Sequence, residues 1–409
     1  MDTADVTWLM ACAAALAWGW LLALRGGFWR IDAVPAAPAP DRWPEVVAVI
    51  PARDEADVIG AAVRSLLGQD YPGKFSLVVT DDGSRDGTAE LARQAAAAVG
   101  AADRLTVVTA PPLAAGWSGK MWAQAHGIAA AQSSHPEAEL LLLTDADIGH
   151  AADALRTSVA RLIAERRDML SLMVSLSTAT LAEKLIVPAF VFFFRLLYPF
   201  RWVADPARPT AAAAGGYILL RRDVLSRIGG LAVIRDALID DCSLAAAVKG
   251  AGGRLSLDLA EGTVSLRRYP GASGLWMMIA RSAYTQLDYS PWRLSGTVVA
   301  MCVGLLAPPL LVVFDSAARV PALAAWAAMS LAYAPMVRAY RLPLANAVLL
   351  PLVALFFLGA TVDSARRHWV GRGGEWKGRV QMCPSPGGAS GPLVPPGEGK
   401  IKPGEQEIP

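Results

Sequence analysis

Histidine and cysteine are both scarce in this chain, four of each among 409 residues. His126, His135, His150 and His368 lie far apart, so a histidine-based zinc site is not expected. Cys12, Cys242, Cys302 and Cys383 show neither metal-ligand spacing nor a disulfide framework, which fits a reducing compartment. Charge is low as well. Charged residues make up 18% and the formal net charge is +2, so the chain carries no basic footprint for nucleic acid. No internal repeat is visible, which argues against transporters built from paired repeats.

Apolar sequence is what the chain has in quantity. Hydrophobic residues make up 54%, and the mean hydropathy is +0.37. Both lean toward a membrane protein. Val6 to Leu24 is free of charge and long enough to span a bilayer. Asp2 and Asp5 precede it, and Arg25 and Arg30 follow it. That flank pattern favours an uncleaved anchor with its amino terminus outside and the following domain in the cytoplasm. Thr297–Phe314, Pro321–Met336 and Leu344–Val362 are three further apolar stretches. Three crossings would leave Arg366, Arg367, Arg372, Lys377 and Arg379 outside, against the positive-inside preference. One stretch is therefore either a re-entrant hairpin or an interfacial segment.

These features divide the chain into residues 1–30 as anchor, 31–45 as a Pro/Ala-rich linker and 46–293 as a cytoplasmic domain. Residues 294–364 form a membrane region with two or three crossings, and 365–409 a tail that is basic, then disordered. Inside the domain, residues 181–202 hold an aromatic-rich stretch broken by Arg195 and two prolines. It reads as a helix in the membrane interface or a buried core helix.

Strand-like runs at Val46–Ile50, Ser76–Thr80, Leu105–Thr109, Leu140–Thr144 and Met169–Ser175 alternate with helical segments such as Ala56–Leu67 and Asp86–Val99. That alternation predicts an α/β fold with a largely parallel sheet. Ligands bind outside the carboxyl ends of such strands. There the chain places Asp54-Glu55, Asp81-Asp82 and Asp145-Ala146-Asp147, and farther on Asp240-Asp241. The first two pairs suit contact with a nucleoside, though acids at a helix start also favour its dipole. Asp86 reads as a helix N-cap. Asp145 and Asp147, one residue apart, offer oxygen donors to Mg²⁺ or Mn²⁺. Asp241, or Asp240 beside it, fits a general base. Gly116-Trp117-Ser118-Gly119-Lys120 precedes a helix and suits a diphosphate. Gly215-Gly216-Tyr217 allows close backbone approach on the acceptor side, or is a plain turn.

Taken together, these motifs resemble the family 2 glycosyltransferases of GT-A fold, over about Val46 to Arg293. The resemblance implies nucleotide contacts at Asp54, Glu55, Asp81, Asp82, Lys120 and Asp145, and metal contacts at Asp147 and Asp145. It also implies a base at Asp241, or Asp240, and inversion by single displacement. Gly116–Lys120, Ala213–Arg222 and Arg281–Leu287 are similar to the hopanoid-biosynthesis-associated members, relatives of ceramide glucosyltransferase. That similarity implies a nucleotide-sugar donor, UDP-linked by family habit, and a lipid acceptor such as a hopanoid. Gly215, Gly216, Arg281 and Gln286 would then lie on the acceptor side, in a bacterial inner-membrane protein. Processive synthases and ceramide glucosyltransferases carry a Gln/Arg-x-x-Arg-Trp motif here. This chain has Met278-Ile279-Ala280-Arg281-Ser282 instead, which weakens the alternative of a polysaccharide synthase. A non-catalytic membrane scaffold is the remaining alternative, disfavoured by carboxylates at every motif.

Overall fold

The computed structural model describes residues 2–34, 36–269, 271–371, 375–376 and 379–380. Lys377, Cys383 and the Pro384–Pro409 tail lie outside the described residues. The chain opens with helix α1 (Thr3–Leu24), closed at its start by a reciprocal Asp2/Asp5 capping box. The α/β domain follows as β1 (Val46–Ala52), α2 (Ala56–Leu67), β2 (Phe75–Asp81), α3 (Thr88–Ala98), β3 (Leu105–Thr109), α4 (Gly119–Ser134) and β4 (Leu140–Leu143). It continues with β5 (Ile148–Gly149), α5 (Ala154–Ala164), β6 (Met169–Ser175), α6 (Leu181–Leu197), α7 (Phe200–Ala204), β7 (Ile218–Arg221) and α8 (Arg222–Arg227). After these come α9 (Asp240–Gly250), β8 (Leu255–Ser265), α10 (Gly271–Ala280), α11 (Pro291–Met301), α12 (Ala307–Phe314), α13 (Arg319–Ala339) and α14 (Leu350–Trp369).

The strands form one eight-stranded sheet in the order β3-β2-β1-β4-β7-β6-β8-β5. β3, β2, β1 and β4 are mutually parallel, as the alternating sequence predicts. β7 then enters antiparallel between β4 and β6, and β8 lies parallel to β6. Neither β7 nor β8 stands out in the sequence. β7 is four residues shortly after a Gly-Gly pair, and β8 is interrupted by Asp258, Glu261 and Gly262.

β1 is buried on both faces along its length, and its alternate side chains enter two different cores. Val46, Ala48 and Ile50 join α2, α3 and α5. Val47 and Val49 face α4 and α6, in a core that runs on to Met329, Tyr333, Leu350 and Phe357 of the apolar helices. The second face is thus one continuous packing unit with the apolar helices. α4 sits hard on this face. A Cβ at Gly127 would overlap Thr80 Oγ1 and stand 2.5 Å from Val49 Cγ1. That close approach brings the start of α4, with Lys120, to the strand ends.

Asp86 differs from its sequence expectation. Gly87, at φ 86°, holds the N-cap position of α3. Asp86 lies one residue earlier and serves two helix starts. One oxygen accepts from Ala56 N–H at 2.9 Å, the other from Thr88 N–H at 3.1 Å.

Thr3–Leu24, Pro291–Phe314, Arg319–Ala339 and Leu344–Trp369 are long and apolar enough to cross a membrane. Thr7 donates to Asp315, and Trp18 Nε1 to Gly304 O, so α1 runs antiparallel to the α11–α12 segment. The last segment takes a different path. Just before it, Tyr340 bonds the Leu176 backbone beside the α/β domain. Trp326, about four turns back in α13, donates to Val348 O. Near the far end Ser364 accepts from Tyr284 N–H. The segment therefore descends along α13 and returns in α14 to the side it left.

Candidate active site

Strand ends β1 and β4, the start of α4, the start of α9 and the Ala214–Gly216 turn converge on one crevice of about 560 Å³. Gly215 lies at its charged end. A Cβ placed there would stand 3.3 Å from Lys120 Nζ, 3.5 Å from Asp145 Oδ2 and 3.6 Å from Asp241 Oδ2. Lys120 pairs with Asp145 at 2.8 Å and with Asp240 at 3.0 Å. Its backbone position is fixed by Ser118, which caps α4 by accepting from Met121 N–H. Asp241 accepts from Gly215 N–H at 2.9 Å and from Cys242 N–H at 2.7 Å. Asp240 and Asp241 open α9, where the helix dipole favours negative charge.

The electrostatics follow from crowding three carboxylates and one ammonium into a recess. Burial works to lower the Lys120 pKa, but Asp145, Asp240 and Asp241 outweigh it and hold the amine protonated. Burial raises Asp145; Lys120 opposes this, and Asp147 and Asp240 reinforce it. Asp241 is pushed up to about 6, first by burial and then by Asp240, against Lys120 and its two N–H bonds. A carboxylate held there is ionised at neutral pH yet basic enough to take a proton.

A second ion cluster lies beside the first. Arg267 Nε meets Asp147 at 2.6 Å and its Nη2 meets Glu55 at 2.9 Å. Burial opposes the Arg267 charge, while Asp147 and Glu55 sustain it. Arg267 follows β8, and its loop is anchored twice. Leu266 N–H donates to Asp147 O at 2.7 Å. Tyr269 N–H donates to Glu183 Oε1 at 3.3 Å. Behind the Asp145–Asp147 turn, Thr144 Oγ1 donates to Gly216 O at 2.7 Å and contacts His150 Nε2 at 3.1 Å. Burial pushes His150 down to about 3, so it supports the turn as a neutral ring.

The structure brings Glu55, Lys120, Asp145, Asp147, Gly215, Gly216, Asp240, Asp241 and Arg281 into the lining of one crevice. Asp54, Asp81, Asp82 and Gln286 lie off it. Asp54, at φ 49°, accepts from Arg85 N–H at 2.9 Å. Asp81 accepts from Ser84 N–H at 3.3 Å and leaves Oδ1 buried without a partner. Asp82 is buried and meets Arg53 at 3.4 Å. Gln286 accepts from the Tyr198 hydroxyl at 2.9 Å. The two glycines divide. Gly215 borders the charges, whereas a Cβ at Gly216 would strike Val174 at 2.9 Å.

Asp145 and Asp147 face the crevice with oxygen donors only, each already compensating a cation. That donor chemistry fits a hard ion such as Mg²⁺ or Mn²⁺, which takes few protein ligands and keeps water or phosphate oxygens. Among the described residues, no group of three or more His, Cys, Asp or Glu forms a metal cage by itself.

Sequence reasoning did not find Arg267 or Glu183, and it singled out Arg281 and the aromatic stretch of residues 181–202 without joining that stretch to the crevice. There Leu176, Phe190, Phe194, Met277 and Met278 form an apolar wall, with Arg281 and Arg367 also lining the space. The signals for Arg267 and Glu183 were the Arg267-Arg268 pair and the capping pattern Thr180-x-x-Glu183.

Residues 44–264 match a family model described as glycosyltransferase like family 2. Among solved structures, the chain is similar to a mannosyltransferase from Pyrobaculum calidifontis in complex with GDP-Man and Mn²⁺. The identity is 22% and the TM-score 0.55, covering 90% of this chain and 99% of that one. It is also similar to glucosyl-3-phosphoglycerate synthase from Mycobacterium tuberculosis in complex with phosphoglyceric acid, at 19% identity and TM-score 0.38, over 60% and 79% of the two chains. TarS 1-349 from S. aureus in complex with UDP matches at 14% identity and TM-score 0.39, over 73% and 91%. No curated protein sequence matches the chain.

Proposed function

The chain belongs to the family described as glycosyltransferase like family 2, and from that premise we propose that it transfers one sugar from a nucleoside-diphosphate sugar to a lipid held in the membrane, with inversion at the anomeric carbon. The observation that carries this reading is the unlike character of the crevice ends. Carboxylates and Lys120 crowd one end. Phe190 and Phe194 of α6, with Met277 and Met278 of α10, wall the other. α6 belongs to the core that continues into the apolar helices. An acceptor with an apolar body would bury that wall.

In the proposed reaction, Asp241 takes the proton of an acceptor hydroxyl. The acceptor oxygen bonds to the anomeric carbon as the bond from that carbon to the diphosphate oxygen breaks. Lys120 Nζ balances the negative charge on the departing diphosphate. Asp147, with Asp145, would hold Mg²⁺ or Mn²⁺, which supplies further positive charge for the same leaving group. Arg267 shares Asp147 and Glu55, and a shift of its loop would free them. Gly215 keeps the space between base and lysine open.

The donor is a nucleoside-diphosphate sugar, UDP-linked by the motif resemblance or GDP-linked as in the similar mannosyltransferase, and a hopanoid hydroxyl is the leading acceptor by motif resemblance. The catalytic domain sits on the cytoplasmic side, where Arg25, Arg30, Arg366 and Arg367 also lie.

A donor screen tests this reading. Full-length protein in lipid nanodiscs is given a panel of nucleotide sugars with Mn²⁺ or with chelator, and nucleoside diphosphate release is followed. Metal-dependent release from one donor, lost in Asp241→Asn, supports the transferase. Absence of release from every donor, with lipid extract present, sinks it.

A further inference from the structure

Where α1 ends, the chain turns through Gly26 and Gly27, both at φ 62°, and packs against α7. A Cβ at Gly26 would stand 2.7 Å from Trp202 Nε1, so only glycine allows this approach. The turn gathers arginines. Arg25 lies over the Trp202 ring at 4.9 Å and Arg208 over the same ring at 5.0 Å. A Cβ at Gly27 would stand 3.5 Å from Arg201 Nη1 and 3.7 Å from Arg30 Cδ. Arg195 donates from below to the Arg30 carbonyl and lies 4.9 Å from the Phe200 ring.

Few carboxylates answer these charges. Asp32 pairs with Arg201 at 2.9 Å. Asp205 accepts from Ala207 N–H, and Asp258 is paired with Arg161. Arg25 uses its donors on the carbonyls of Leu196 and Leu197. Lys249, also close by, bonds the carbonyls of Trp202, Val203 and Thr210. Arg30 and Arg208 are exposed and have no carboxylate partner among the described residues. Arg195 is only 6% exposed, and its Nε and Nη1 are buried with no partner.

Asp32 and Asp258 favour the Arg195 charge but do not outweigh its burial, and a buried guanidinium with unpartnered N–H groups is costly. A negatively charged group bound against the cluster would offset that cost. The cluster begins at the residue after the last turn of a membrane helix, which puts it at headgroup depth. Trp29 and Trp202 beside it are the side chains that favour that depth. Guanidinium forks match phosphate oxygens. We propose that Arg25, Arg30, Arg195, Arg201 and Arg208 form a binding site for anionic phospholipid headgroups, seating the α/β domain against the membrane surface. The site is separate from the crevice and does not depend on which sugar is transferred.

Native mass spectrometry of the full chain, purified in an equimolar mixture of phosphatidylglycerol and phosphatidylcholine, tests it. The wild type should retain phosphatidylglycerol in preference. In the Arg30→Gln/Arg208→Gln variant, both substitutions being on the surface, that preference should fall by about fivefold per arginine. Arg93→Gln, which removes an exposed arginine of α3, should keep it. Millimolar inorganic phosphate should not displace the lipid. Equal retention of the two lipids, full preference in the double variant, or displacement by phosphate would each overturn the proposal. A thermal unfolding scan of each variant separates a lost preference from lost folding.

Discussion

The two ends of the crevice are built by opposite rules. At the charged end, side chains come from short turns after strands and from the first residues of α4 and α9, and each group is fixed by a partner at about 3 Å or less. At the apolar end, α6 and α10 contribute apolar side chains from their interiors, and Arg281 and Arg367 also line the space. The first arrangement suits a ligand of one charge pattern and one geometry. The second suits a body recognised by shape and apolar area. One enzyme needs both when its donor is a charged soluble molecule and its acceptor lives in the bilayer.

Asp241→Asn should break the charged end with the largest effect. Turnover should fall by about 10²–10⁴-fold, read as diphosphate release at saturating donor. Stability should move the other way. The pKa of Asp241 rises from an ordinary 3.8 to about 6 in the fold. The folded state therefore binds the proton more tightly, and stability falls as pH rises across that window. Above pH 6 the full cost of the buried charge is present, and Asn removes it. At a pH of about 8, well past that window, the variant should unfold no earlier than the wild type. For the native chain, kcat/KM should decline as pH drops through about 6, because the base becomes protonated.

Lys120→Met should come next. It leaves Asp145 and Asp240 without their shared cation, so activity should drop about 10²–10³-fold and stability by about 1–3 kcal/mol, the half-exposed crevice screening part of the loss. Denaturant unfolding separates the two losses. Phe194→Asp, at the other end, should raise the acceptor KM by about tenfold or more while donor KM holds. Equal changes in both constants would erase the distinction between the ends. The smallest effects belong to the glycines. Gly216→Ala should cost about 1–3 kcal/mol by overpacking against Val174. Gly215→Ala should barely alter stability and instead lower turnover, since its methyl enters the space beside Lys120.

The parallel half of the sheet was legible because β1, β2 and β4 are unbroken apolar runs followed by acids. For β1 and β4 the run and the acids Glu55, Asp145 and Asp147 have one cause, a strand buried on both faces and ending at the crevice; the acids after β2 instead brace neighbouring turns. The other half was not. β7 is too short to show a period, and β8 carries polar residues at its end. Lys120 was legible from glycines ahead of a helix. Arg267 was not, because it reaches Asp147 only through the pairing of β5 with β8. Glu183 reads locally as a capping residue, and nothing in the sequence marks its bond to Tyr269. The basic residues after the last apolar segment argued that one of the three stretches does not cross, but that segment's length and composition match a crossing, and nothing in the sequence marked which one returns. The returning path comes from α13 and α10 packing on its two limbs.

The central claim is that the two ends serve two substrates, one soluble and one in the membrane. The direct test is lipid mass spectrometry on full-length protein in nanodiscs containing total bacterial lipid, supplied with the donor that it turns over. A lipid species gaining the mass of a single sugar, absent with Asp241→Asn and reduced with Phe194→Asp, is the predicted result. Sugar found only in water-soluble product or in polymer, with every lipid unchanged, would contradict it.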